Sequence, residues 1–66
     1  MYERIRELRK DNDLSQEFMA KILNCSQVCY SNYELGKREI PTPRLIQLAK
    51  FFNTSTDYLL NLTNKR

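Results

Sequence analysis

Histidine and tryptophan are absent from the 66-residue chain, which contains one glycine and two prolines. Without histidine, the chain lacks the side chain that most often acts as a general base or a zinc ligand. The scarcity of turn-forming residues favours helices over a turn-rich β fold. No apolar run approaches the roughly 18 residues of a membrane-spanning helix, and the charged start is unlike a signal peptide. We therefore expect a helical protein of the cytoplasm that has no contact with a membrane.

The length of the chain predicts a single domain over residues 1–66. Folding a chain of this size hides roughly 60% of its surface, which allows one modest core and leaves little room for a sequestered active site. The sequence has no glycine-rich phosphate-binding loop, and no serine or cysteine stands beside a base that could activate it. We therefore predict that the protein is not an enzyme and binds no cofactor, metal ion or small molecule.

The 11 basic and 8 acidic residues, which give a net charge of +3, are unevenly distributed. Residues 1–10 carry four basic and two acidic side chains, residues 11–36 carry one and four, and residues 37–66 carry six and two. Within the middle segment, residues 26–33 carry no charge. Basic flanks around a neutral segment suit a protein whose flanks contact phosphates and whose neutral segment contacts bases. Alternatively, the charged residues serve only solubility, which would be compatible with the same net charge.

Apolar spacing and capping residues divide the chain into five short helices without a linker or a repeat. The predicted helices span residues 2–11, 16–23, 27–35, 43–52 and 56–62, and residues 63–66 are expected to fray. The predicted N-caps are Ser15, Ser26, Thr42 and Ser55. Asn24 and Gly36 are predicted to end the second and third helices in the left-handed conformation. About three residues separate these two helices, which is the spacing of a helix-turn-helix within residues 15–35.

The third helix has an uncharged outer face and an aromatic inner face. The residues of the outer face are Gln27, Val28, Ser31 and Asn32. They share one stripe because side chains four residues apart lie above one another on a helix. Glutamine and asparagine can form two hydrogen bonds with adenine, and a small apolar side chain can contact the methyl group of thymine. Tyr30 and Tyr33 lie on the opposite face and are predicted to belong to the core.

Three segments of the chain together resemble one protein family. They are Leu14-Ser15-Gln16-Glu17, Tyr30-Ser31-Asn32-Tyr33-Glu34-Leu35-Gly36-Lys37-Arg38 and Leu45-Ile46-Gln47-Leu48-Ala49-Lys50-Phe51-Phe52. Their order is similar to that in phage-repressor or Cro-type helix-turn-helix proteins, also called the XRE family, over about residues 3–62. The resemblance implies an all-α, compact five-helix fold like the lambda-repressor DNA-binding domain. It also implies a bacterial or phage transcriptional repressor, a homodimer whose third helices enter the major groove of a palindromic double-stranded operator.

The resemblance also implies roles for individual residues. Base-reading positions would be Gln27, Val28, Ser31 and Asn32. Contacts with the DNA backbone would come from Gln16, Lys37, Arg38 and Arg44. Gln16 would in addition cap the second helix, and Arg9 and Glu34 would form a structural ion pair between the first and third helices. Two positions depart from the family pattern, because Asn24 stands where glycine is usual and Phe18 stands where a polar residue is common.

The two cysteines, Cys25 and Cys29, admit two interpretations. Structural zinc usually needs four ligands, and the chain offers two thiols and no histidine, so we expect no metal site. In a cytosolic protein the thiols are expected to be reduced. They are either small, partly buried side chains or, because they lie beside the base-reading helix, a redox switch.

Apolar residues beyond what the core needs suggest contacts with other proteins. The last helix carries four of them, Tyr58, Leu59, Leu60 and Leu62. Two or three of these are expected to close the core and the remainder to form a homodimer face. Phe18 and Ile22, four residues apart on the second helix, suggest a further apolar patch. That patch supports an alternative function, in which the protein keeps the helix-turn-helix fold but acts as a protein-interaction or antitoxin-like module.

Overall fold

The structure is a computed structural model that describes residues 2–64, in which five α-helices and no strand occur. The helices are α1 (Glu3–Asp11), α2 (Gln16–Ile22), α3 (Gln27–Glu34), α4 (Thr42–Phe51) and α5 (Thr56–Leu59). The predicted all-α, five-helix architecture is therefore confirmed. None of these helices has the length and apolar character needed to cross a membrane. Of the residues predicted to fray, Thr63 and Asn64 accept hydrogen bonds from Arg4, and residues 65–66 lie outside the described range.

Three of the helices begin at a serine that caps them as predicted. The hydroxyl groups of Ser15, Ser26 and Ser55 each accept a hydrogen bond, at 3.0 Å, from the backbone N–H three residues further on. Each bond satisfies one of the N–H groups that the first turn of a helix leaves without a partner. The caps therefore fix where α2, α3 and α5 start.

The N-cap predicted at Thr42 is wrong, because α4 begins one residue earlier. Pro41 is the N-cap, with φ −56° and ψ 143°, and Thr42 is already helical. The proline ring holds Pro41 near this φ, so the residue ahead of the helix needs no side-chain hydrogen bond to keep its conformation. Pro43 then lies in the first turn, where its missing N–H costs nothing because that turn has no carbonyl partners within the helix.

All five helices end with the same backbone motif, in which the residue after the C-cap is left-handed. In α2, Asn24 has φ 56° and its N–H donates to the carbonyl of Lys21 at 3.1 Å. The next N–H, that of Cys25, donates to the carbonyl of Ala20 at 2.9 Å. Gly36 ends α3 in the same way with φ 75°, so the predicted left-handed conformation is confirmed at both positions. The corresponding residues of α1, α4 and α5 are Asp13, Asn53 and Asn61.

One hydrophobic core unites the five helices, and the aromatic face of α3 is buried in it as predicted. Tyr30 and Tyr33 are among the largest fully or almost fully buried side chains. The other core residues are Tyr2, Ile5, Leu8, Met19, Ala20, Leu23, Ile40, Leu45, Leu48, Ala49 and Leu59. One side of α3 is thus fixed in the core, which leaves its opposite side at the surface.

Of the four apolar residues expected to divide between the core and a homodimer face, Leu59 is part of the core. Its side chain is 0% exposed, because the single turn of α5 packs against α1 and α4 and directs this residue inward. Tyr58 is half-buried beneath the guanidinium of Arg4, whose central carbon lies 4.2 Å from the centre of the ring. Leu60 and Leu62 are the two that face solvent, and Leu62 is 72% exposed.

Replacing Asn24 tests the left-handed end of α2. We expect Asn24→Ala to lower the free energy of unfolding by about 1 kcal/mol, because a Cβ atom without a compensating polar group is strained at positive φ. Asn24→Gly is the matched control and should keep or raise stability, since glycine adopts this conformation without strain. Urea unfolding followed by circular dichroism measures both variants. Equal destabilisation by the two substitutions would contradict this explanation.

Candidate nucleic-acid interface

Five uncharged side chains from two helices line one shallow, open concavity on the surface, with a volume of about 260 Å³. They are Gln16 of α2 and Gln27, Val28, Ser31 and Asn32 of α3. We refer to this surface as the α3 concavity. The four residues predicted to read bases therefore share a surface with Gln16, which was predicted to contact the DNA backbone. The surface lies opposite the buried tyrosines of α3.

The chemistry of the α3 concavity is that of hydrogen bonding combined with one apolar group. Gln27 is exposed, Ser31 and Asn32 are half-buried, and Val28 is 72% exposed. A valine with this exposure adds little to the core, so packing gives no reason for its position. Amide groups both donate and accept hydrogen bonds, and a hydroxyl group does the same. The concavity can therefore pair with a polar edge and pack against a methyl group.

A buried ion pair lies next to the α3 concavity. Glu34, at the end of α3, is 9% exposed, and its Oε2 accepts a hydrogen bond from Nε of Arg9 at 2.7 Å. Nη2 of Arg9 lies 3.2 Å from Oε1 of the same carboxylate, and Nη1 donates to the carbonyl of Leu14 at 2.9 Å. A two-point contact between guanidinium and carboxylate fixes the geometry of both groups. The pair therefore joins α1 to α3 and to the turn before α2.

Gln16 connects this ion pair to the α3 concavity. Its Nε2 donates to Oε1 of Glu34 at 3.1 Å, so the amide is held at the edge of the concavity. The expectation that Gln16 caps α2 is wrong, because a cap is the extended residue ahead of the helix. Ser15 has that conformation, with ψ 159°, and Gln16 is the first helical residue. Contact between Gln16 and the DNA backbone stays a prediction.

Two opposing effects set the pKa of Glu34. Burial on its own raises the pKa of a carboxyl group, because a poorly solvated site disfavours the charged form. The hydrogen bonds from Arg9 and Gln16 stabilise the carboxylate and lower the pKa. Together the hydrogen bonds prevail, so the pKa of Glu34 lies below its usual value and the group is charged at neutral pH.

The basic residues predicted to contact the DNA backbone lie on the two elements that follow α3. Lys37 and Arg38 are exposed in the loop, and Arg44 is half-buried in α4. Nη1 of Arg44 donates to the hydroxyl oxygen of Tyr33 at 2.7 Å. The Nη1 atoms of Arg38 and Arg44 each lie 3.9 Å from the Sγ atom of Cys29. Two of the three cations thus meet at one point beside α3, and no local pattern in the sequence indicates this meeting.

An aromatic patch on α2 and α4 was only partly foreseen. The exposed rings of Phe18 and Phe51 lie with their centres 6.3 Å apart, and Phe51 also contacts Phe52 at 5.0 Å. Ile22, the predicted neighbour of Phe18, packs against the core instead. Phe18 follows Gln16 by two residues, which is about 200° around the helix, so this Phe18–Phe51 patch and the α3 concavity lie on different sides of α2.

The site is built on a helix-turn-helix domain. A seven-residue helix and an eight-residue helix are joined by residues 23–26, and the second helix has one buried and one exposed face. The sequence model of the helix-turn-helix domain family matches residues 2–65. The chain belongs to this family.

Relatives from Bacillus subtilis (strain 168) resemble the chain along most of its length. The uncharacterized HTH-type transcriptional regulator YobD is 34% identical over 62 residues, which are 94% of this chain and 55% of that protein. The HTH-type transcriptional regulator ImmR is 39% identical over 57 residues, which are 86% of this chain and 45% of that protein. The chain thus spans about half the length of the curated relatives it matches.

Solved structures of the P22 c2 repressor share the fold. The crystal structure of that protein in complex with the synthetic operator 9T in the presence of Tl⁺ has a TM-score of 0.79 and 35% identity, and the match covers 86% of each chain. The NMR structure of its DNA-binding domain (1–76) has a TM-score of 0.79 and 33% identity, with 97% of this chain and 87% of that one covered. The phage-repressor type of fold predicted from the sequence is thereby confirmed.

Acidification tests the contribution of Glu34 to stability. Because the pKa of Glu34 is lower in the folded than in the unfolded chain, its contribution is complete above about pH 4.5 and is lost as the pH falls through the folded pKa. Glu34→Gln should be less stable at pH 7 by about 2 kcal/mol, because it leaves the Arg9 guanidinium without its carboxylate. Urea unfolding of both proteins between pH 7 and pH 2 measures this difference. It should shrink with acid, and a constant difference would contradict the assignment.

Proposed function

We propose that the chain is the DNA-binding domain of a bacterial or phage transcriptional regulator that acts in the cytoplasm. The α3 concavity is the observation that carries this proposal. It presents hydrogen-bonding side chains that the core does not need, on a helix of a size that fits the major groove of double-stranded DNA. The names of the relatives, and the P22 c2 repressor solved with a synthetic operator, support a regulatory and DNA-binding role. The role is one of binding and not of catalysis.

Base edges are recognised by the outer face of α3 in this proposal. Gln27 and Asn32 each pair with a base through two hydrogen bonds, for which adenine offers the matching donor and acceptor. The exposed Val28 contacts a thymine methyl group, and Ser31 adds a hydroxyl that suits several bases. Residues 26–33 carry no charge, so discrimination comes from the geometry of these contacts and not from general attraction.

Phosphate contacts position α3 in the groove. Lys37, Arg38 and Arg44 bind phosphates on one side of the helix, and the amide of Gln16 binds another beside the start of α2. The guanidinium of Arg44 has a defined position beside α3, because its Nη1 donates to the Tyr33 hydroxyl at 2.7 Å. The three cations in each of two subunits give a slope near −5 in a plot of log affinity against log salt concentration, and the neutral amide of Gln16 adds nothing to that slope.

Repression by a homodimer on a palindromic operator is the more specific form of the proposal. Leu60 and Leu62 are exposed apolar side chains just beyond α5, and a two-fold contact through them covers both. The two α3 helices then enter successive major grooves about 34 Å apart, which is one turn of DNA. Selection from a random DNA pool tests this directly. We expect enrichment of an inverted repeat with that spacing, and a single unrepeated site would contradict the dimer.

A second candidate function is a protein-interaction module, and the Phe18–Phe51 patch favours it. Two exposed aromatic rings in contact form an apolar surface that the proposed DNA contacts do not use. An antitoxin-like domain would bind its partner there and would show no sequence preference for DNA. The same DNA selection separates the candidates. The protein-interaction module would be favoured if the selection enriched no DNA sequence and a protein partner were found. Binding of that partner should be independent of salt and should be lost in Phe18→Ser.

Replacing Gln27 tests base readout. We expect Gln27→Ala to cost about 1–3 kcal/mol on the selected operator and to relax specificity at one base position in each half-site, because the bidentate contact is lost there. Affinities for the operator and for its single-base variants, measured at one salt concentration, give the profile. A loss of equal size on every sequence, unrelated DNA included, would assign Gln27 to a different role.

Replacing Lys37 tests a phosphate contact. We expect Lys37→Gln to weaken binding to all sequences alike and to flatten the salt slope by about 1 per subunit, because one fewer phosphate is neutralised. Lys10→Gln is the matched control, since it removes the same charge from an exposed lysine on α1, outside the proposed contacts. Titrations at several salt concentrations measure both variants. Equal slopes for the two would place Lys37 outside the interface.

A further inference from the structure

The sulfur atom of Cys29, in the first turn of α3, lies beside two guanidinium groups. Nη1 of Arg38 and Nη1 of Arg44 approach it at 3.9 Å each. Nη1 of Arg44 also donates to the hydroxyl oxygen of Tyr33 at 2.7 Å, so this phenol belongs to the same cluster. Two cations therefore lie beside one thiol.

This environment makes the two cysteines chemically unequal. The hydrogen bond from Tyr33, together with the neighbouring Cys25, Arg38 and Arg44, lowers the pKa of the Cys29 thiol, because all of them stabilise a thiolate. Burial and the adjacent Cys29 sulfur raise the pKa of Cys25. Cys29 therefore ionises first and is the stronger nucleophile at neutral pH, while Cys25 stays protonated beside it.

The positions of the two thiols suit a reaction between them. Both are free thiols and half-exposed, so a small reagent can reach them. They are four residues apart across the start of α3, on either side of the Ser26 cap, and both pack against the same hydrophobic core. The proposed contacts with DNA use Arg38 and Arg44 but neither thiol, so the function proposed above does not account for the two cysteines.

We propose that Cys25 and Cys29 are a modification site, at which a hydroperoxide forms a reversible intramolecular disulfide. The Cys29 thiolate attacks one peroxide oxygen, the O–O bond breaks, and the leaving oxygen takes a proton from water, which leaves a sulfenic acid on Cys29. The sulfur of Cys25 then attacks the sulfenic sulfur. The S–S bond forms, the S–O bond breaks, and the hydroxyl group departs as water with the Cys25 proton. The thiol pair loses two electrons and the peroxide gains them.

The disulfide lowers affinity for specific DNA, a consequence that rests on the proposed function. Gln27 and Val28 lie between the two bridged residues, so a bridge across the first turn displaces them. It also strains the Ser26 cap, whose hydroxyl accepts from the Cys29 N–H at 3.0 Å. Loss of one bidentate base contact in this way weakens binding about tenfold.

Mass spectrometry of the intact chain tests the modification without reference to DNA. The reduced chain, treated with an equimolar amount of hydrogen peroxide, is expected to lose two hydrogen atoms, to remain unlinked to other chains, and to regain both atoms with dithiothreitol. Cys25→Ser is expected to stop at the sulfenic acid of Cys29, which a cyclic 1,3-dione traps. Cys29→Ser is expected to react more slowly than Cys25→Ser. Equal rates for these two variants, or disulfides formed only between chains, would overturn the proposal.

DNA affinity then tests the consequence. Oxidised wild-type protein is expected to bind the selected operator about tenfold more weakly than reduced protein, with recovery on reduction. The double variant Cys25→Ser, Cys29→Ser is the control, and peroxide should leave its affinity unchanged. A disulfide that forms with no change in affinity would overturn the link to DNA binding. If the reduced protein selects no DNA at all, the proposed function fails, and the mass measurement still decides the modification site.

Discussion

The carboxylate of Glu34 is the group on which the arrangement of the first three helices depends. It accepts hydrogen bonds from Arg9 of α1 and from Gln16 of α2, while itself belonging to α3. An almost buried charge is destabilising unless it is paired and hydrogen-bonded. If one of these helices shifted alone, the carboxylate would lose a partner and the fold would lose stability. Because Gln16 belongs both to this cluster and to the α3 concavity, the candidate interface is joined to the structural centre of the domain by direct hydrogen bonds.

Local chemistry at the helix ends makes such a small arrangement possible. Helices of four to ten residues are not stable alone in water, so each depends on its caps and on the shared core. The turn between α2 and α3 illustrates how closely the two ends are joined. The Cys25 N–H completes the end of α2, and the hydroxyl of the next residue, Ser26, completes the start of α3. The direction in which α3 leaves the turn is therefore set by two consecutive residues.

This locality explains which features could be predicted from the sequence. The cap at Ser26 and the left-handed Asn24 depend on neighbours within a few positions, and the stripe that lines the α3 concavity follows from helical periodicity. The predicted start of α4 was wrong by one residue. Prolines stand on both sides of Thr42, and local preferences allow either Pro41 or Thr42 to be the N-cap. Several contacts between residues distant in the sequence could not be predicted, since only the packing of the helices and the loop after α3 brings their members together. They are the pairs Phe18–Phe51, Arg44–Tyr33, Arg44–Cys29, Arg38–Cys29 and Arg4–Tyr58.

The neutral outer face of α3 makes the geometry of the turn matter more than the total charge. Coulomb attraction changes slowly with distance, so a protein that holds DNA mainly by lysines tolerates small displacements. Hydrogen bonds weaken steeply with misalignment, and a functional group must be held within about 0.5 Å of its working position. In the proposed function, a domain with a net charge of only +3 depends on the second kind of contact. The Ser26 cap, the buried tyrosines and Glu34 hold α3 at its start, along its inner face and at its end. The disulfide that we propose for the Cys25–Cys29 pair would act on the first of these three attachments and leave the other two in place, so it would alter recognition without unfolding the domain.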